Sequence, residues 1–147
     1  MLVNKRIQIL LVVGQFAGLF YFLIFGKVIP GGALVTVIYI LAILLGFSAI
    51  FSMNSQTISV FPEVRKNAEL TQKGPYQLIR HPMYTAVIIL LSGFLLNEFT
   101  VLRFVVYCFV ILDLMIKIDV EEKILSEKYP LYKNYISKTK KLIPYIY

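Results

Sequence analysis

The stretch "ALVTVIYILAILLGFSAIFSM", residues 33–53, decides the fold. It holds no charged residue. Its length matches the ~20 apolar residues with which a helix crosses a ~30 Å hydrocarbon core. A second run, residues 7–25, also lacks charge and has only two polar amides, Gln8 and Gln15. The whole chain agrees with these two runs. Of its 147 residues, 59% are hydrophobic and 16% charged, with a mean hydropathy of +0.77. A soluble chain this short buries too small a fraction of its surface to hide so much apolar material. Lipid is the expected solvent.

Lys5 and Arg6 precede the first run, as they would in a signal peptide. The run is too long for one, and no small-residue cleavage pattern follows, so a retained anchor is expected. Between the two runs lies "GKVIPGG", a turn rich in helix breakers. Two further apolar segments, at 82–97 and 99–119, read as a hairpin turning at Asn97 and Glu98. The expectation is one all-α domain over 1–147 with four spans, at about 7–25, 33–53, 82–97 and 99–119. Pro130 should end the last helix after "VEEKILSEKY". A polar segment, 54–80, joins the second and third spans, and "QTISVF" within it alternates like a strand. It must lie in water or headgroups, or fold over the helix ends, because unpaired backbone in lipid costs several kcal/mol.

The net charge of +7 is unevenly placed. Lys and Arg stand at 5, 6, 65, 66, 73 and 80, and at seven positions from Lys117 onward; only Lys27 and Arg103 fall elsewhere. That bias puts both termini and the long loop in the cytoplasm, against anionic headgroups, and points away from nucleic acid. Cys108 is the single cysteine, so no internal disulfide forms, and it reads as a small apolar side chain. Gly14, Gly18 and Gly93 suit close helix packing. Asp113 with Lys117, and Asp119 with Lys123, are spaced as i, i+4 pairs and are expected to pair along the last helix. No metal-ligand cluster is expected.

The polar interruption "GPYQLIRHPMYTA", residues 74–86, carries the chemistry. Pro82 suits the first position of a helix, with His81 as its cap. The unpaired N–H groups behind it, beside Arg80, favour a carboxylate or phosphate. At ~1.5 Å per residue, the hairpin brings Glu121 and Glu122 back to the same membrane face, roughly 10 Å above the start of the third span. Arg80, His81, Tyr76, Tyr84, Glu121 and Glu122 can then share one cytoplasmic pocket. It has an anion-binding side, a cation-binding side and the faces of Tyr76, Tyr84, Tyr129, Tyr132 and Tyr135 for stacking and cation–π contact. S-adenosylmethionine carries a carboxylate, an ammonium, a sulfonium and an adenosine, and matches that set.

These residues resemble the isoprenylcysteine carboxyl methyltransferase family and the related phospholipid N-methyltransferases. The pattern Gly-x-Tyr-x-x-x-Arg-His-Pro-x-Tyr followed by Glu-Glu-x-x-Leu is matched by Gly74, Tyr76, Arg80, His81, Pro82, Tyr84, Glu121, Glu122 and Leu125. The resemblance extends over about residues 60–144 and ends in "YKNYISKTKKLIP". Three positions depart from it: Ala86 for a usual Gly, Tyr129-Pro130 for a usual Phe-Gly, and Lys141 for a common Arg. The resemblance implies an integral membrane methyltransferase that uses S-adenosylmethionine without a Rossmann domain, the C-terminal helix covering the cofactor. Its acceptor is lipophilic, with an isoprenylcysteine-type carboxylate favoured and a phospholipid or other amine as the alternative. Arg80 and Glu122 are the expected catalytic residues. Gly74, Tyr76, Leu78, His81, Pro82, Tyr84, Glu121, Glu122 and Tyr135 are the expected cofactor contacts. Two readings of other classes stand beside it: a non-enzymatic membrane assembly protein, and an NADPH-dependent membrane reductase.

Overall fold

A computed structural model describes residues 5–53 and 70–147. The strand-like "QTISVF" and the neighbouring "EVRKNAE" lie outside the described residues. Five α-helices are described: α1 (Lys5–Phe25), α2 (Ala33–Ser52), α3 (Pro82–Asn97), α4 (Val101–Lys128) and α5 (Tyr132–Lys138). A 3₁₀ turn, Gly74–Gln77, precedes α3. No strand occurs among the described residues; Ile79 and Lys140 form an isolated parallel bridge.

α1 and α2 are long and apolar enough to cross a membrane. Only 22% of the first apolar window and 17% of the second is buried within the protein. They are therefore not the core helices of a water-soluble fold, whose apolar residues would be inside. Leu10, Ile24, Leu44 and Phe51 all point outward. α3 is apolar but shorter, at 16 residues.

α1 packs on α4, and α2 on α3. The inward stripe of α1 is Gln8, Leu11, Gln15, Gly18 and Phe22, an alternating three–four spacing that keeps one face on a neighbour. α4 buries Val110, Asp113, Leu114, Lys117 and Ile118; Val110 lies by Gly18 of the stripe, and Lys117 bonds its Gln15. Phe22, Leu91, Phe94, Val110 and Leu114 form the apolar core. Small residues set the spacing. A Cβ at Gly18 would lie 2.2 Å from Val110 Cγ2, and one at Gly93 would lie 2.6 Å from the Tyr39 ring, so both glycines hold close helix contacts.

The end of the bundle away from the 74–86 segment is latched by polar groups. Asn97 donates to the carbonyls of Lys27 (2.6 Å) and Ile29 (2.9 Å) and accepts from Gly31 N (2.7 Å). Arg103 donates to Phe25 O and to the Glu98 carboxylate, both at 2.6 Å. Lys27 and Arg103, the two cations outside the basic clusters, thus sit together at one turn.

One boundary and two pairings differ from the sequence reading. α4 starts at Val101 rather than residue 99, because Thr100 caps it by accepting from Arg103 N at 3.2 Å. It then runs unbroken to Lys128 and stops just before Pro130. Lys117 does not pair with Asp113: its Nζ donates to Gln15 Oε1 at 2.5 Å, because α1 packs on that face. Asp119 likewise bonds Lys141 Nζ, at 2.8 Å, across the C-terminal segment instead of Lys123 on its own helix.

Candidate active site

The 74–86 segment is built from three local decisions. Gly74 takes φ +57°, a left-handed conformation that glycine adopts without strain. A Cβ there would also meet Ser52 Oγ at 2.1 Å, so the 3₁₀ turn lies against the end of α2. Ile79 pairs with Lys140, and the backbone N–H groups of Arg80 and His81 donate to the carbonyls of Lys140 (2.7 Å) and Lys141 (3.1 Å). The C-terminal segment is thus strapped to the corner before α3. Pro82 then opens α3, with His81 at its N-cap position. The His81 side chain does not cap; it turns toward α4.

There it meets both glutamates. His81 Nδ1 lies 3.5 Å from Glu121 Oε2, and Nε2 lies 3.3 Å from Glu122 Oε1. Arg80 Nε donates to the same Glu122 oxygen at 2.7 Å, and Nη1 donates to Thr139 O at 2.5 Å. Tyr84 OH donates to Glu121 Oε1, and its ring stacks on His81 with centroids 5.7 Å apart. The offset of roughly 10 Å expected from helical rise is closed by the side chains. Along a helix they lean toward the N-terminus, which for α4 points back to the start of α3.

Charge and burial act together. Burial of His81 favours the neutral imidazole, but hydrogen bonds and charges from Glu121 and Glu122 outweigh it and raise its pKa above 6.5. Burial of Glu122 favours the neutral acid, yet hydrogen bonds from His81 and Arg80 hold its pKa below 4.5. The corner thus sets the Arg80 guanidinium and an imidazole whose protonated form is favoured against Glu121 and Glu122. Around it, burial pushes the Tyr76 and Tyr132 hydroxyls upward and the Tyr135 hydroxyl to about 12, so all three stay neutral donors. Tyr135 OH uses its proton on Tyr76 O, at 2.6 Å.

Of the sequence-predicted residues, Arg80, His81, Pro82, Tyr84, Glu121 and Glu122 lie at one corner, with Tyr76 and Tyr135 beside it. Gly74 and Leu78 act through the backbone: Gly74 by its turn, Leu78 by accepting from Lys140 N at 3.1 Å while half its surface is exposed. Thr139 and Lys141 escaped the sequence reading as site residues, whereas Tyr132 was among its tyrosine faces. Thr139 supplies the carbonyl that holds Arg80, and Lys141 Nζ stands 3.9 Å from Glu122 Oε2. Tyr132 is fully buried, and among the described residues its hydroxyl has no partner. The only signal for Thr139 and Lys141 was their place in the terminal "YKNYISKTKKLIP".

The family model described as phospholipid methyltransferase matches residues 27–131. That span includes α2, α3, all of α4 and the whole Arg80–Glu122 corner. The chain belongs to the phospholipid methyltransferase family. No curated protein matches it. Phospholipid methyltransferase family membership implies a membrane methyltransferase, and such enzymes generally use S-adenosylmethionine. α1 and the segment from Tyr132 onward lie outside the matched span, although both reach the site: α1 through Gln15 and Lys117, the tail through Thr139 and Lys141.

Proposed function

We propose that the chain is a four-span, S-adenosylmethionine-dependent methyltransferase for a lipophilic acceptor, with termini and active site on the cytoplasmic side. The Arg80–His81 corner set against Glu121 and Glu122 is the observation that carries this reading. Four crossings are supported by the apolar, outward-facing Leu102, Val105, Leu112 and Ile116 of α4. Asp113 and Lys117 of the same helix are buried against α1, where a span tolerates charge. Both long apolar helices, α1 and α2, fit the membrane setting of the family.

The residues fit the donor. Glu121 and Glu122 present carboxylate to a cation. Met83 and Tyr84 begin α3 behind Pro82, so their N–H groups point toward an anion with no side-chain cap competing. The Tyr132 hydroxyl, buried with no partner among the described residues, is a polar group that a ligand would satisfy. When bound there, S-adenosylmethionine supplies a methyl group activated on a sulfonium. Arg80, already bound to Glu122 and Thr139 O, fixes the wall that orients the donor. Tyr76, Tyr84 and Tyr135 exclude water from it. Such a displacement needs positioning and dryness more than covalent help from the protein. The acceptor reaches the site sideways from the bilayer. Membrane lipids and lipophilic small molecules are its class of substrate.

The test is calorimetry of detergent-purified protein against S-adenosylmethionine, S-adenosylhomocysteine and NADPH. The first two should bind and NADPH should not. Arg80→Ala and Glu122→Ala should each weaken binding about tenfold or more, since each strands a charged partner. Unchanged binding in both variants overturns the assignment, and binding of NADPH alone would favour the reductase.

A further inference from the structure

The C-terminal segment meets the site with one side and leaves its other side uncovered. Residues 128–147 carry Lys128, Lys133, Lys138, Lys140 and Lys141 and no acidic residue. Lys141 is engaged with Asp119, and Lys128 lies over the Tyr129 ring. Lys133, Lys138 and Lys140 are exposed, and none has a partner among the described residues. α5 divides accordingly: Tyr132 and Tyr135 are buried, with Thr139 just beyond, whereas Lys133, Asn134, Ser137 and Lys138 face out. Apolar side chains stand among these cations. Leu131, Ile143, Tyr145 and Ile146 are exposed, the last two at 85% and 75%. Tyr145 takes φ +65°, a conformation unfavourable to a residue with a Cβ. It does so inside a turn closed by Leu142 N and Ile143 N, which donate to Tyr147 O at 2.8 and 2.7 Å. Packing within the protein does not explain a strained turn around two side chains left outside it.

We propose that this face docks on the anionic headgroups of the chain's own bilayer, and that docking steadies the strap that shapes the donor pocket. This rests on the methyltransferase reading above and adds regulation of its site. Lysines mixed with aliphatic and tyrosine side chains fit a bilayer surface: headgroups match the charge, and the interface takes the apolar groups. Only residues 129–131 separate α5 from α4, so a membrane-crossing α4 delivers the segment to that surface. The coupling to the site is direct. Lys138 and Lys140 flank Thr139, whose carbonyl accepts from Arg80 Nη1. The Lys140 and Lys141 carbonyls hold the Arg80 and His81 N–H groups, and Tyr135 OH donates to Tyr76 O. Fixing the outer side of 131–146 on headgroups therefore restrains its inner side against the corner. A donor that binds the strapped corner best then binds more tightly over an anionic surface. The segment from Tyr132 onward lies outside the family-matched span, so this control belongs to a part of the chain that the family pattern does not describe.

The experiment places the full chain in nanodiscs of phosphatidylcholine alone, or of phosphatidylcholine and phosphatidylglycerol in equal parts, and measures S-adenosylhomocysteine affinity by calorimetry. Wild type should bind about fivefold more tightly in the anionic discs, the factor that one matched cation supplies. A Lys133→Gln, Lys138→Gln, Lys140→Gln triple variant should bind equally in both, at the affinity of wild type in neutral discs. Salt at ~1 M, where the screening length falls to ~3 Å, should cancel the wild-type gain. Equal wild-type affinity in the two discs overturns the proposal, as does a gain that the triple variant keeps. So does a gain reproduced in neutral discs by added inorganic phosphate, the result expected of a site for a soluble anion. Ile146→Trp, in a chain otherwise free of tryptophan, reads docking with no donor present. Its emission should shift to the blue in anionic discs and be quenched there by brominated lipid; the same emission in both discs overturns the docking. A wild-type protein that binds no S-adenosylhomocysteine in either disc overturns the methyltransferase reading, and the tryptophan emission then decides the docking by itself.

Discussion

Arg80 should be worth more as a clamp than as a charge, and a double-mutant cycle can measure this. Its side chain is 7% exposed and that of Glu122 15%. The guanidinium spans two elements, with Nε on Glu122 of α4 at 2.7 Å and Nη1 on Thr139 O of the C-terminal segment at 2.5 Å. Removing one partner of a buried pair costs about 3–5 kcal/mol, because the other charge is stranded. Glu122 keeps His81 at 3.3 Å and some solvent, which lowers the expected cost of Arg80→Met to about 2–3 kcal/mol. Lysine retains the charge but cannot hold carboxylate and carbonyl with one planar fork, so Arg80→Lys should cost about 1–1.5 kcal/mol. In a cycle with Glu122→Gln, the coupling should be about 2 kcal/mol. Unfolding by dodecyl sulfate in mixed micelles, followed by the fluorescence of the ten tyrosines in this tryptophan-free chain, gives the four free energies. A coupling under about 0.5 kcal/mol, or an Arg80→Lys variant as stable as wild type, refutes the clamp.

Three other outcomes are expected. Stability contributed by His81 is fully present below pH 6.5 and fades as pH rises through its raised folded value; that of Glu122 is present above pH 4.5 and fades as pH falls through its lowered one. Thermal stability should therefore plateau between these values and decline on the alkaline side, and His81→Phe should erase the alkaline decline; an arm that persists in that variant belongs to other groups. Gly18→Ala should cost about 1–3 kcal/mol, because its Cβ would strike the fully buried Val110, and Val110→Ala in the same chain should restore most of the loss. A chain ending at Thr139 loses the carbonyls of Lys140 and Lys141 that hold the Arg80–His81 backbone, and the Leu142 carbonyl that accepts from Thr85 Oγ1 at 2.8 Å. Its helical circular dichroism should persist while S-adenosylhomocysteine binding falls at least tenfold; retained binding would show that the strap does not shape the pocket.

The reach of the sequence depended on whether a signal was local. Composition and the uncharged run ending at Met53 were enough for α1 and α2, because crossing lipid requires only length and apolarity in consecutive residues. Pro82 and Pro130 marked the start of α3 and the end of α4, because proline acts on its own backbone. The hairpin spacing brought His81 and the two glutamates to the same end of the bundle, within roughly 10 Å, from helical rise alone, and side chains closed the rest. Spacing within one helix could not choose partners, however. Asp113 and Lys117, like Asp119 and Lys123, stand at an i, i+4 interval, yet Lys117 turns to Gln15 and Asp119 to Lys141 because α1 and the C-terminal segment offer nearer acceptors and donors. Only the tertiary structure made Thr139 a ligand of Arg80, through a backbone carbonyl that no side-chain pattern encodes. Only packing left Asp113 Oδ2 buried and, among the described residues, without a hydrogen bond. One-dimensional order fixes what each segment is able to bury; which polar atom meets which is settled when four helices and a tail compete for the same interior.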